Sequence, residues 1–208
     1  MLEINSPEKI AGSQIIDMKE HGTLGFIHNP RTGGSSLNGW LYDNKKPEWD
    51  SYKFRQHHAR DKMMSLHING EPFKIDKTVC IVRHPYMRYL SFWRYINRDK
   101  ARKDQISFRK FWEGPGNINQ IQAFRRPQTI YWKGCDIILR HEDLVNEVAV
   151  KLQPIFQTTN RLDAYRYNYQ GVDTSLVDAH ESIPKEFLAE IREIDSETFN
   201  EFGYGEYD

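Results

Sequence analysis

The sequence predicts an α/β fold in a single domain, with a central parallel sheet flanked by helices. Short apolar segments rich in β-branched residues alternate with longer amphipathic segments, and this alternation is typical of a parallel sheet with helices on both faces. Two of the apolar segments lead directly into a loop with an arginine and then into a helical pattern. The length of 208 residues suits a single domain with a sizeable core.

The first elements follow from the residue pattern near the N-terminus. Residues 1–22 carry charges throughout, so we expect them to form an irregular N-terminal arm of one domain that spans 1–208. Leu24–His28 has the apolar character of a buried strand. The segment after the next loop has Leu37 and Trp40 at helical spacing and is predicted to be a helix.

The rest of the chain continues the alternation. Thr78–Val82 is rich in β-branched residues and is predicted to be a second buried strand. Gln157–Val177 is rich in tyrosine and is expected to form a long loop that covers a ligand. The other predicted elements are, in chain order, a loop at Asp43–Arg55, a helix at His58–Leu66, a connection at Gly70–Lys77, a helix at Tyr86–Asn97, a short helix at Phe108–Trp112, a strand at Asp136–Leu139, a helix at Glu142–Phe156 and a last helix from Pro184 to Phe199.

The loop after the first predicted strand has the composition of a phosphate cradle. Pro30 ends strand pairing because it has no N–H, and Gly33 and Gly34 allow a positive φ and a close approach to a ligand. Ser35 or Ser36 then caps the next helix, whose first N–H groups and dipole attract an anion. An ordinary strand-to-helix turn is the alternative interpretation.

Arg31 adds a fixed charge to this loop, which differs from an ordinary Walker loop. The Walker motif requires Gly-x-x-x-x-Gly-Lys-Ser/Thr. Aligned on Gly25, the chain has Pro30 and Arg31 at the positions of the second glycine and the lysine. Thr32 matches the magnesium-binding hydroxyl, but the second predicted strand is followed by Arg83 and not by an aspartate. A small-molecule kinase is therefore a disfavoured alternative.

The loop after the second predicted strand offers a second anion site. Arg83 lies at the carboxyl end of that strand, where open α/β sheets bind ligands. Pro85 suits the first turn of the following helix, and Ser91 lies further along that helix. We expect Arg83 and Ser91 to bind one phosphate; the alternatives are a structural ion pair for Arg83 and a packing role for Ser91. Two such loops predict a ligand with two separate phosphate groups.

These residues resemble the PAPS-dependent sulfotransferases, in the branch that includes the Golgi carbohydrate sulfotransferases and many bacterial relatives. Pro30–Ser36 is similar to the family's Pro-Lys-Thr-Gly-Gly-Thr-Ser-like loop, and Arg83–Ser91 is similar to its Arg-x-Pro-Tyr/Trp-x-Arg-x-x-Ser segment. Weaker matches follow in the family's order at Gln56–Met63, Pro127–Thr129, Asp136–Leu144, Asn160–Arg161, Tyr165–Arg166 and Asp195–Tyr204. The resemblance covers residues 24–204.

The resemblance implies the P-loop-NTPase-like sulfotransferase fold and a reaction. The sulfuryl group of 3′-phosphoadenosine 5′-phosphosulfate (PAPS) would move in line to a hydroxyl of a glycan or another small molecule, leaving 3′,5′-ADP (PAP). The residues implied to bind PAPS are Pro30, Arg31, Thr32, Gly33, Gly34, Ser35, Ser36, Arg83, Ser91 and Arg166. Gln128 and His57 are implied to border the acceptor. A nucleotide-binding protein that has kept this fold without catalysis is a further alternative.

The implied catalytic residues are a histidine and an arginine. A histidine with a pKa near ~6.5 suits a general base, and the family's spacing to Ala59 favours His58, with His57 as its rival. Arg31 stands where the family usually has lysine. It keeps the charge that stabilises the departing phosphate but cannot act as a general acid. His141 replaces an aromatic residue of the family, which is expected to matter less.

Composition excludes several other classes. The formal net charge is zero, with 29 acidic and 29 basic residues, so nucleic-acid binding is not indicated. No cluster has the spacing of metal ligands, and we expect no required metal. Cys80 and Cys135 lie in predicted strands as reduced, buried thiols. Without a signal peptide or an apolar run that could span a membrane, a cytoplasmic protein is expected; a trimmed chain is the alternative.

A basic run between the second helix and the short helix has two interpretations. It comprises Arg98, Arg102, Lys103, Arg109 and Lys110. One interpretation is that these residues contact an anionic acceptor glycan. The favoured interpretation is that they form a solvated helix face.

Overall fold

A computed structural model describes residues 12–54, 59–68, 71–98, 100–101, 104–114, 125–165 and 181–205. The chain divides into two compact units. The first unit comprises residues 1–82 and 130–170, and the second comprises residues 83–129 and 171–208. The expectation of one domain over 1–208 stays a prediction.

A five-stranded sheet forms the first unit's centre. The strands of the described residues are β1 (Gln14–Asp17), β2 (Thr23–Ile27), β3 (Asp50–Lys53), β4 (His67–Ile68), β5 (Glu71–Pro72), β6 (Lys77–Val82) and β7 (Ile137–Arg140). Their order in the sheet is β3-β1-β2-β6-β7. β2, β6 and β7 pair in parallel, whereas β1 is antiparallel to both of its neighbours. The sheet is therefore mixed and mostly parallel, and β4 and β5 form a separate small hairpin.

The helices follow the predicted alternation. They are α1 (Gly34–Asn44), α2 (Arg60–Met64), α3 (Pro85–Asn97), α4 (Phe108–Glu113), α5 (Thr129–Trp132), α6 (Leu144–Lys151), α7 (Gln153–Phe156), α8 (Lys185–Ile194) and α9 (Ser196–Phe202). Short 3₁₀ turns occur at Lys19–His21, His141–Asp143 and Leu162–Tyr165. No helix in this described part of the chain is both long and apolar enough to cross a membrane.

Helices cover both faces of the sheet, which confirms the predicted α/β architecture. On one face, α1 and α6 pack against the strands in a buried cluster that includes Leu24, Phe26, Leu37, Trp40, Leu41, Val79, Ile81, Leu139, Leu144 and Val148. On the other face, Gly25 leaves room for Ile75 and for Met63 of α2. Burial from both sides explains why the parallel strands are almost entirely apolar.

The second unit has its own core, formed by the apolar faces of α3, α4, α8 and α9. Its buried members include Tyr86, Leu90, Phe92, Phe108, Phe111, Trp112, Phe187, Ile191 and Phe199. Trp93 adds a hydrogen bond from its indole nitrogen to the Ile106 carbonyl, 2.8 Å away. Aromatic packing therefore stabilises the helices of this unit.

Several predicted elements differ from the structure. The expected irregular arm at 1–22 contains β1, and the expected loop at Asp43–Arg55 contains β3. Both strands have only four residues, so their periodicity is too short to detect. Glu142–Phe156 is not one helix, since Pro154 lacks the N–H that would continue it and instead opens α7.

The last predicted helix is also divided, into α8 and α9, at Asp195. The Asp195 carboxylate is fully buried and accepts hydrogen bonds from the Gln128 N–H and the Thr198 hydroxyl. Asp195 itself has φ −104° and ψ 22°, outside the helical range, and this divides the two helices.

Candidate functional site

The first loop joins β2 to α1 through two residues with left-handed backbone conformations. Arg31 has φ 65° and Gly33 has φ 90°. Gly33 is the N-cap, and its carbonyl accepts hydrogen bonds from the backbone N–H groups of Ser36 and Leu37. The expectation that Ser35 or Ser36 caps the helix is wrong, because the left-handed glycine starts the helix earlier and no side chain caps it. Strain at a non-glycine residue such as Arg31 is a feature of ligand-binding segments.

Hydrogen bonds fix this loop to the sheet. The Asn29 side-chain amide donates to the carbonyl of Ile81 in β6, at 3.0 Å. The Thr32 hydroxyl donates to the Asn29 carbonyl, at 2.7 Å, and Thr32 is fully buried. The Thr32 hydroxyl therefore closes the loop from a buried position.

Gly34 is required by packing and not by its φ angle. A Cβ atom at this position would overlap the imidazole ring of His28. That ring is buried and stacks on Phe26, with 5.6 Å between ring centroids. The two glycines therefore have different roles: Gly33 supplies the left-handed turn, and Gly34 allows α1 to begin directly against His28.

His141 also contacts the first loop. It follows β7, and its Nδ1 lies 3.0 Å from the Thr32 carbonyl, to which it donates. A Cβ atom added at Gly33 would lie 3.0 Å from the same nitrogen. His141 is half-buried. The sequence interpretation gave this residue little weight, although its position directly after a parallel strand could have placed it beside the loop.

In the second unit, Arg83 precedes α3 and is held through its backbone. Pro85 lies in the first turn of α3, as predicted, and the helix begins at Pro85, one residue before the predicted start. The Gln128 amide nitrogen donates to the Arg83 carbonyl at 2.8 Å, and the Arg83 N–H donates to the Gln128 Oε1 at 3.2 Å. Gln128 is fully buried, and both polar ends of its side chain bond to the backbone of Arg83. Ser91 lies on α3 and is half-buried.

A buried ion pair lies next to Gln128. The Arg88 guanidinium is 3.8 Å from the Asp195 carboxylate, and both side chains are almost completely buried. Asp195 accepts a 2.6 Å hydrogen bond from the Gln128 N–H. Burial raises the pKa of Asp195, and the charge of Arg88 opposes that rise.

The two cysteines are free thiols. Burial raises the pKa of Cys80 in β6. Cys135 precedes β7 in a turn, not in a strand as expected, and is only partly buried. A hydrogen bond from Cys80 is the main cause that lowers the pKa of Cys135, with help from Thr78 and the charge of Arg60.

The remaining predicted site residues are placed as follows. His57, His58 and Arg166 lie outside the described residues. Pro30 is buried in the first loop, Arg31 is half-buried, and Ser35 and Ser36 are half-buried in the first turn of α1. Within the described ranges, no three or more His, Cys, Asp or Glu side chains are grouped to hold a metal ion.

Comparison of the chain with models of protein families, with curated proteins and with solved structures finds no match in any of the three. The functional interpretation therefore depends on the residues and contacts of the two loops.

Proposed function

We propose that the protein is a sulfotransferase that moves the sulfuryl group of PAPS to a hydroxyl of a glycan or another small molecule. In this proposal the sheet and its flanking helices correspond to the P-loop-NTPase-like sulfotransferase fold. The observation that best supports the proposal is the geometry of the first loop. It combines a left-handed Gly33, a Gly34 packed against His28, and an arginine two residues before the N-cap of a helix.

Each loop has one role towards the nucleotide. Residues 30–36 hold the 5′-phosphosulfate through backbone N–H groups and Arg31. Arg83 and Ser91 hold the 3′-phosphate, and Arg166 contributes to cofactor binding. The fixed backbone of Arg83 supports this assignment, because an anion site gains affinity when its donors are held in place before the ligand binds.

The chemistry is an in-line displacement at sulfur. His58, or its rival His57, takes the proton of the acceptor hydroxyl while the hydroxyl oxygen attacks the sulfur atom. The bond between sulfur and the 5′-phosphate oxygen breaks, and the leaving group is 3′,5′-ADP. Arg31 stabilises the negative charge that develops on the departing phosphate. Positioning and electrostatics suffice, so neither a covalent intermediate nor a metal ion is required in this scheme.

The direct test is transfer from PAPS labelled in its sulfuryl group to a panel of hydroxylated acceptors, including glycans, small alcohols and tyrosine peptides. We expect a labelled product with at least one class, and an unchanged rate when EDTA is added. The Arg31→Ala variant is the matched control and should be strongly impaired. Phosphate transfer from ATP that depends on magnesium, or binding of 3′,5′-ADP without any sulfuryl transfer, would contradict the proposal.

A further inference from the structure

Gln128 is fully buried in the second unit. Its side chain uses both polar ends on the backbone of a single residue, since Nε2 donates to the Arg83 carbonyl and Oε1 accepts from the Arg83 N–H. A primary amide that hydrogen-bonds to both the N–H and the carbonyl of one residue fixes the position and the orientation of that peptide segment. The Arg83 side chain therefore starts from a defined backbone.

The backbone of Gln128 is itself anchored. Its N–H donates to the fully buried carboxylate of Asp195, at 2.6 Å, a short bond to a charged acceptor. Asp195 faces Arg88 across 3.8 Å. Arg88 in turn donates to the carbonyl of Arg126, two residues before Gln128, at 3.4 Å. The ion pair thus holds the segment 126–128 at two points.

Arg83 and Arg88 are close in sequence, and α3 connects them. The Arg88 N–H donates to the carbonyl of His84, at 3.0 Å, in the first turn of α3. Arg83 is therefore attached to the same buried framework by the Gln128 amide on one side and by the start of α3 on the other. Rigid support of this kind reduces the conformational entropy that a binding residue loses with its ligand.

We propose that Gln128 is a positioning residue that holds Arg83 for the 3′-phosphate, and that the buried Arg88–Asp195 pair holds Gln128. This inference rests on the proposed function, because it assumes that Arg83 binds the 3′-phosphate. It gives Gln128 a role that differs from the expected one of bordering the acceptor. Gln128 acts through Arg83 and so determines the preference for nucleotides with a 3′-phosphate over those without one.

The second unit offers a matched control for this role. Asn97 makes the same pair of bonds to a single residue, since its Nδ2 donates to the Ile106 carbonyl at 3.0 Å and its Oδ1 accepts from the Ile106 N–H at 2.9 Å. Asn97 is also buried. Asn97→Leu and Gln128→Met each remove two hydrogen bonds between a side-chain amide and the backbone of one residue, without a large change in side-chain volume. Only Gln128→Met removes the bonds that hold the backbone of Arg83.

The experiment measures the affinities of 3′,5′-ADP and 5′-AMP by calorimetry for the wild type, Gln128→Met, Asn97→Leu and Arg83→Ala. The wild type should prefer 3′,5′-ADP by about tenfold or more, the scale of a lost charged hydrogen bond. Gln128→Met should lose most of that preference while 5′-AMP still binds. Asn97→Leu should keep the preference, whatever it does to the melting temperature.

The outcomes separate this inference from the function on which it rests. A Gln128→Met protein that keeps the full preference overturns the positioning role while leaving the proposed function intact. A wild type without any preference contradicts the assignment of Arg83 itself. If Gln128→Met does not fold, Gln128→Glu replaces it. The glutamate keeps the acceptor for the Arg83 N–H but places a carboxylate oxygen against the Arg83 carbonyl in place of the donor. It should therefore reduce the preference, and an unchanged preference would again overturn the role.

Discussion

Gly34→Ala should abolish nucleotide binding at the first loop and lower the free energy of unfolding by about 1–3 kcal/mol, the usual cost of an overpacked site. The added methyl group would overlap the ring of His28, which is buried and stacked on Phe26, so it cannot move away easily. Either the ring or the start of α1 must shift. In both cases the backbone N–H groups that we propose hold the 5′-phosphosulfate would be displaced.

Chemical denaturation and 3′,5′-ADP titration of the Gly34→Ala variant would measure both effects. His28→Ala in the Gly34→Ala background is the informative control, because it removes the ring that the new methyl group meets. The two substitutions should therefore be strongly non-additive, with the double variant more stable than the sum of the single effects predicts. Wild-type stability and affinity in Gly34→Ala would show that the packing of this loop is not as described.

His58→Ala should lower the rate of sulfuryl transfer by about a hundredfold or more, the scale of a lost general base, while leaving the affinity for 3′,5′-ADP nearly unchanged. The wild-type rate should rise with pH through the ordinary histidine pKa near ~6.5, because only the neutral ring accepts a proton. Steady-state rates at saturating PAPS and acceptor, measured across pH, would test both statements.

Arg31→Ala provides the contrast for this prediction. It should weaken nucleotide binding and turnover together, since its charge faces both the bound phosphosulfate and the charge that develops in the transition state. Normal turnover in His58→Ala would reject His58 as the base and make His57→Ala the next variant. If both single variants remain active, the base does not lie in this segment.

The elements that the sequence predicts best are those whose local pattern and tertiary environment agree. β6 could be predicted because a run of β-branched residues suits a strand that is buried on both faces. The predicted strand was Thr78–Val82, and the observed strand begins one residue earlier. α3 begins at Pro85, where proline loses no hydrogen bond. β1 could not be predicted, because its stability comes from pairing with β2 and β3 and not from its four-residue pattern.

At the candidate site, the sequence motifs predict which residues form the loops but not the backbone conformations and hydrogen bonds of those residues. The glycines and the arginine of the first loop follow from the motif, whereas the left-handed conformation of Arg31 does not. The contacts of Gln128 with Arg83 and of His141 with Thr32 join residues far apart in sequence. Such contacts depend on the packing of the whole unit, and a single sequence contains no local signal for them.

In the proposed function, one nucleotide with phosphates at both its 5′ and 3′ positions binds to the two loops. Calorimetric titration of the wild type with 3′,5′-ADP and with 5′-AMP tests this claim most directly. We predict clearly tighter binding of 3′,5′-ADP, by about 1.5–3 kcal/mol for a charged hydrogen bond, and a loss of most of that difference in Arg83→Ala. Equal affinities of the wild type for the two nucleotides would contradict the account.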